Sequence, residues 1–338
     1  MSRLLLVTPA FHGYWQPIAR ACATLGYQPV VHAYDAFEGV RAKLRNKVRY
    51  EGADRLGLNG SERMRRDLTK ESAKIVRASR PEVVLVIKGD VLGEEFWDTV
   101  EASGARCCLW LYDELSRMEY ADETLVRVGA AGSYSRDDTR ALAGLGLRSD
   151  YVPLAYEDRD PLPPAQWGSS PEVTFAGARY PNREELLRGL VERGVPVRAY
   201  GRDWSAHPVD RARTWRVGAP DVPGAREVDL QEAHRVMARS TATLNIHGSS
   251  VNDGFTMRTF EACGAGALQL IDRDDVDAFY EPSTEVLVFH DVEEVVECYE
   301  RSRRDPGWAR AIREAGRRRT LAEHTFTHRV RQLEALWT

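Results

Sequence analysis

The sequence predicts an α/β protein made of two doubly wound domains. Short apolar, β-branched runs alternate with helical patterns along the chain, an order that packs as parallel sheets with helices on both faces. The runs end in loops carrying Gly or Asp, and parallel sheets present ligands at the loops leaving the carboxyl ends of their strands. At 338 residues the chain exceeds the ordinary span of one domain, and the alternation restarts after a Pro/Gly/Ser-rich segment at 156–171 that reads as a linker.

In the first half, 4–7 read as a buried strand, the loop 8–15 leads to a helix stopping at Gly26, and 30–31 begin the next strand. The charged segment 37–64 lacks a clear period and is expected as surface loop and helix. A helix over 70–79 ends before Pro81, and a strand at 83–87 runs into Lys88-Gly89-Asp90. A strand at 107–112 ends in Asp113-Glu114. A Gly/Ala-rich strand at 128–133 precedes a helix over 136–145, and 150–154 closes the half.

The second half opens with a strand at 173–176 and a turn at 177–181. Asn182 with Glu185 has capping-box spacing, starting a helix that runs to Arg193 and stops at Gly194. A strand at 197–200 leads to Gly201 and a loop with Trp204, and Asp229 with Glu232 caps another helix. Then come a strand at 243–246, a polar loop, a short helix at 256–263, a Gly-Ala-Gly turn and a strand at 267–271. The last strand is expected at 286–289. From Val292 onward the pattern is helical, broken at Asp305-Pro306.

Composition narrows the partners. Hydrophobic content of 43% with 29% charged is ample for two cores, and a net charge of −4 gives no electrostatic reason to expect nucleic acid or anionic membrane. The Arg-rich runs at 301–304 and 317–319 alternate with acids and read as solvated helix faces. No apolar segment approaches a membrane span, and the first residues read as a strand rather than a signal peptide. The five cysteines form no CxxC and are expected reduced, in a cytoplasmic protein.

The candidate site centres on 244–271. Asp253 and Glu261 have seven residues between them, and Arg258 shares a helix face with Glu261. A cation for a diphosphate and a carboxylate for a ribose diol, delivered from one strand end, suit a nucleotide-activated donor; the other reading is a surface salt bridge beside a tight turn. In the first βα turn of this half, Gly177 precedes Arg179 and Arg183 at a helix N-terminus, a place that attracts anions. Gly201 would let backbone approach a ligand and Trp204 would stack on a base, unless Trp204 is a core or lid residue. His247 ends a strand and is a candidate for phosphate or sugar. His12 and Asp113, on first-half strand ends, are candidate bases, with capping as the alternative for Asp113-Glu114. Asp272-x-Asp274 and Asp158-x-Asp160 are read as chance patterns rather than metal sites. GxGxxG, GxxxxGK[ST] and GxSxG are all absent, against oxidoreductase, P-loop and hydrolase readings.

Those stretches, FAGARYPNREELL, VRAYGRDW, LNIHGSSVNDGFTMRTFEACGAGALQLID and EVLVFHDVEEVVE, resemble the two-Rossmann-domain (GT-B) glycosyltransferases of the group-1 type related to spore maturation protein B (CgeB-like). More weakly, CLWLYDE and SDYVPLAYED extend the likeness into the first half. The resemblance implies an acceptor-side domain at 1–155, a nucleotide-sugar domain at 156–324 across a cleft, and a final helix at 325–338 returning to the first domain. It implies a nucleoside-diphosphate sugar as donor, UDP the commonest, with no obligatory metal or other cofactor. Glu261 would hold the donor ribose, in the context Arg258-Thr259-Phe260-Glu261-Ala262. The first acidic position is a Glu in retaining enzymes and is Asp253 here. Retention is the expected course, with Arg179 as leading cation for the leaving group and Arg183 and Arg258 behind it. Two rivals stand beside this: a sugar-nucleotide epimerase or hydrolase on the same fold, and a non-catalytic nucleotide-sugar-binding protein.

Overall fold

The computed structural model describes residues 2–10, 13–36, 59–214, 221–248 and 253–338. They form two compact units, Met1–Pro153 with Phe326–Thr338, and Leu154–Thr325. Each is a six-stranded parallel sheet flanked by helices, the α/β architecture expected.

In the first unit, strands β1 (Arg3–Thr8), β2 (Gln28–Ala33), β3 (Val83–Ile87), β4 (Arg106–Leu111), β5 (Ala130–Ser133) and β6 (Arg148–Tyr151) lie in the order β2-β1-β3-β4-β5-β6. Helices α1 (Trp15–Thr24), α2 (Gly60–Ser79), α3 (Glu94–Ala102), α4 (Asp122–Val128) and α5 (Arg136–Gly144) connect them. Helix α2 starts at Gly60, well ahead of the expected residue 70. Its buried stripe, Leu68, Thr69, Ser72, Ala73 and Val76, is mostly small or polar, so its apolar period is faint in the sequence.

In the second unit, β7 (Ser170–Ala176), β8 (Val197–Tyr200), β9 (Gly224–Ala225), β10 (Ser240–Asn245), β11 (Gln269–Ile271) and β12 (Leu287–Val288) lie in the order β12-β11-β10-β7-β8-β9. The chain winds one way from β7 and the other way from β10, so the switch point lies between these two strands. Helices α6 (Pro181–Glu192), α7 (Pro208–Thr214), α8 (Leu230–Arg239), α9 (Arg258–Ala265), α10 (Val292–Arg304) and α11 (Pro306–Glu323) cover the sheet. The Asp229 carboxylate accepts from Glu232 N–H at 2.9 Å and caps α8 as expected.

The last helix, α12 (Phe326–Trp337), returns to the first unit, as the resemblance implied. Phe326 meets Trp110 of β4 edge-on, and a Cβ on Gly132 of β5 would lie 2.6 Å from Leu333 Cδ2. Glycine there is what lets the helix seat on the sheet.

The segment expected as a linker packs as part of the second unit. The Tyr156 ring covers Gly264, where a Cβ would sit 2.3 Å from its Cδ1, and Trp167 covers Gly266 in the same way at 2.4 Å. Gly266 also caps α9 at φ +84°, so both the turn and the close approach require it. The reading of 317–319 as a solvated face is likewise corrected. Arg317 donates to Gly264 O and binds the Asp158 carboxylate at 2.9 Å through Nη2, and Arg319 pairs with Glu285 and Glu323. Among the described residues no helix is long and apolar enough to cross a membrane.

Arg313 of α11 is 4% exposed and donates to four carbonyls, Ala238, Gly266, Ser240 and Thr241, at 2.7–3.2 Å. Burial lowers its pKa to about 10, which leaves it charged at neutral pH. Arg313→Met strips these buried acceptors of their donor, and each unsatisfied group costs about 1–3 kcal/mol. The expected loss is on the order of 4 kcal/mol in a denaturant titration. A midpoint equal to wild type contradicts the role.

Candidate functional site

At the switch point each of the two central strands ends against an arginine from the other's βα unit. Arg183, on α6 after β7, donates from Nε to Ile246 O just past β10 at 2.9 Å, and from Nη1 to Ala178 O at 3.1 Å. Arg258, opening α9 after β10, donates from Nε to Ala176 O at the end of β7 at 3.2 Å. A carbonyl that has left its ladder needs a donor, and a guanidinium supplies several in a fixed fork. The exchange fixes the N-termini of both helices against the strand ends.

Asn182 joins this exchange rather than capping α6. The helix begins at Pro181 with no side-chain cap, and Asn182 Nδ2 donates instead to His247 O at 2.9 Å. Proline at the first helical position needs no N–H partner, which leaves the amide for the longer-range bond.

The three candidate arginines differ in their commitments. Arg183 is 8% exposed and bound to neutral carbonyls, its guanidinium over the rings of Phe175 and Tyr180; burial lowers its pKa. Arg179 makes a two-pronged pair with Glu184, which raises its pKa, and lies over the Trp204 ring. Arg258 is the most open of the three and pairs through Nη1 with Glu261 on the same helix face. Glu261 itself is 1% exposed, with its second oxygen 3.6 Å from His234 Nε2 on α8.

Two expected ligand contacts are corrected by the packing. Trp204 is fully buried against Phe175 and donates from Nε1 to Gly177 O at 2.9 Å, so its ring faces the core rather than a base. Gly201 has φ +152°, and a Cβ there would lie 2.8 Å from Gly177 O. The space its missing side chain leaves is taken by the chain's own backbone. Gly177 thus serves the β7–β8 corner, accepting from the indole.

His247 is buried and fully engaged. Asp272 accepts from both its backbone N–H at 2.8 Å and Nδ1 at 2.7 Å, while Thr256 N–H faces Nε2 at 3.5 Å and Phe255 packs edge-on. Because Thr256 can only donate there, Nδ1 carries the proton. Arg273 covers the Phe255 ring and donates to Asp253 O at 3.3 Å. His247 and Arg273 therefore hold residues 253–256. In the Asp-x-Asp pattern, Asp272 serves His247 and Asp274 contacts His290 at 3.0 Å.

In the first unit, Asp113 stands at the end of β4 between Lys88 Nζ at 3.2 Å and Arg117 Nε at 2.7 Å, and also accepts from Glu114 N–H. His12 lies outside the described residues.

Sequence reasoning missed His234 and the Asp272 pairing. His234 had a visible signal, since it falls on the face of α8 that buries Ala233, Met237 and Ala238. The Asp272 pairing joins different strand ends and leaves no local pattern.

A family model described as glycosyl transferase-like matches residues 182–335, which include Arg183, His234, His247, Asp253, Arg258 and Glu261. No curated protein matches the sequence. Among solved structures the chain is similar to HepE of Anabaena in complex with UDP, with TM-score 0.61 and 12% identity over 99% of both chains. It is also similar to sucrose-phosphate synthase of Thermosynechococcus elongatus, with TM-score 0.62 and 12% identity over 100% of this chain and 98% of that one. A protein assigned as a UDP-N-acetylglucosamine 2-epimerase in Listeria monocytogenes gives TM-score 0.58 and 11% identity over 99% and 95%. At such identities the likeness establishes the GT-B fold.

Arg183→Met should lower stability by about 1–3 kcal/mol, because the buried Ile246 carbonyl and, nearer the surface, that of Ala178 lose a charged donor. Thermal unfolding checks it. A melting temperature unchanged from wild type would show that those carbonyls find other partners.

Proposed function

We propose that the protein is a glycosyltransferase that takes its sugar from a nucleoside-diphosphate sugar bound at the carboxyl edge of the second unit's sheet. The observation that carries this is the Arg258–Glu261 pair at the start of α9, beside the switch point. The glycosyl transferase-like match over 182–335 and the UDP complex of HepE support a transferase reading with a uridine nucleotide.

In this reading the ligand exchanges partners with the protein. Arg258 turns its guanidinium from Glu261 to the diphosphate, and Glu261 accepts the pentose hydroxyls. As the sugar departs, negative charge grows on the leaving diphosphate. Arg258 and the α9 N-terminus meet it there without reorganising water. Arg179, the first choice from sequence, becomes the second, since its partner Glu184 is more exposed than Glu261 and stands on α6 away from the start of α9. Arg183 acts as scaffold. Asp253, held by its backbone, is assigned to the sugar. We assign no metal to the step and take transfer to proceed with retention.

The epimerase assigned in Listeria shares the fold at a similar score, so turnover of donor without acceptor is the discriminating assay for that second reading.

Thermal-shift measurements with UDP and UDP-glucose test the proposal. A ligand at a hundred times its dissociation constant stabilises by about 2.7 kcal/mol, a rise of several degrees. Glu261→Ala should abolish the shift while the protein stays folded, and Arg258→Ala should weaken it tenfold or more in concentration, since about 1.4 kcal/mol is a factor of ten. A full shift in Glu261→Ala refutes the assignment.

A further inference from the structure

His234 Nε2 is buried and makes no hydrogen bond, yet lies 3.6 Å from Glu261 Oε1. The ring is wedged from behind by Tyr156, at 5.2 Å between centroids. Tyr156 cannot retreat easily, because it packs on Gly264 and its hydroxyl reaches Asp158, which Arg317 holds. A buried imidazole nitrogen without a partner is costly. It persists here aimed at the one carboxylate that changes partner under the reading above.

We infer that His234 is a positioning residue that holds Glu261 for the donor pentose once Arg258 has turned to the diphosphate. Nε2–H closes on Oε1 and Oε2 stays directed at the pentose hydroxyls. The buried carboxylate therefore never stands without a donor, and its orientation is kept by a side chain from α8 rather than from its own helix. The inference rests on the proposed nucleotide reading, and it adds a residue that touches neither diphosphate nor sugar.

The test compares one nucleoside diphosphate with its 2′,3′-dideoxy analogue by titration calorimetry. The nucleotide is whichever of UDP, ADP, GDP or CDP binds wild type most tightly. Wild type is expected to prefer the hydroxylated form by about tenfold or more, each lost hydrogen bond to a charged group being worth at least that factor. Glu261→Gln should bring the ratio towards one. His234→Leu should cut the ratio to about threefold or less, and His234→Gln, which restores an N–H donor, should recover most of it. Melting temperatures of all variants separate this from a general loss of structure, which would weaken both ligands equally. Should His234→Leu not fold, His234→Phe, which keeps a ring and has no donor, takes its place. A wild-type ratio retained in His234→Leu, with Glu261→Gln still losing it, overturns the role of His234 and leaves that of Glu261 intact. No binding, or no preference in wild type, overturns both.

Discussion

The second unit depends on how the ends of β10 are satisfied. This strand is buried along its whole length and rich in polar residues, Ser240, Thr241, Thr243 and Asn245. At its amino end Arg313 binds Ser240 O and Thr241 O; just beyond its carboxyl end Arg183 binds Ile246 O. Backbone groups that leave a ladder inside a protein must find donors, and here they find guanidinium forks brought from α11 and α6. Arg258 closes the pattern by serving β7 from α9. The geometry of the candidate site follows from backbone satisfaction before any ligand is considered.

The same constraint explains what the sequence could and could not disclose. Strands such as 83–87 and helix stops such as Gly194 are local matters of β-branching and left-handed conformation, and they read directly. The cap at Asp229 is equally local. Asn182 carries the same kind of signal and misleads, because Pro181 removes the need for a cap and a carbonyl 65 residues away claims the amide. Composition misleads at 156–171 for a related reason. Pro, Gly and Ser dominate the count, while two rings, Tyr156 and Trp167, decide the packing by fitting onto Gly264 and Gly266. Neither partnership lies within reach of a local window.

In the site itself the residue types were legible and their commitments were not. Arg179, Arg183 and Arg258 all read as cations near a helix start. The spacing already paired Arg258 with Glu261; only the fold binds Arg183 to carbonyls, pairs Arg179 with Glu184 and buries Glu261. Trp204 and Gly201 read as ligand groups because they follow a strand. Both are consumed by the corner at Gly177, through an indole bond and a backbone approach. A strand end needs packing as much as it offers a ligand surface.

These commitments also bear on selectivity under the donor reading. Arg258 already has a carboxylate partner, so binding there is an exchange and not an addition. A simple phosphate that drew Arg258 away would take from Glu261, 1% exposed, its guanidinium partner and bring no hydroxyls in exchange. Taking the cation from a carboxylate this deeply buried is costly. A molecule that brings hydroxyls to Glu261 while its phosphates take Arg258 avoids that cost. The pair thus works as a coupling device: the diphosphate and the pentose are favoured when they arrive joined. Glu184 holds Arg179 in a comparable pair but is more exposed, so releasing it costs less and selects less. Discrimination between a nucleotide and its fragments is therefore concentrated at the deeper pair, on the first turn of α9.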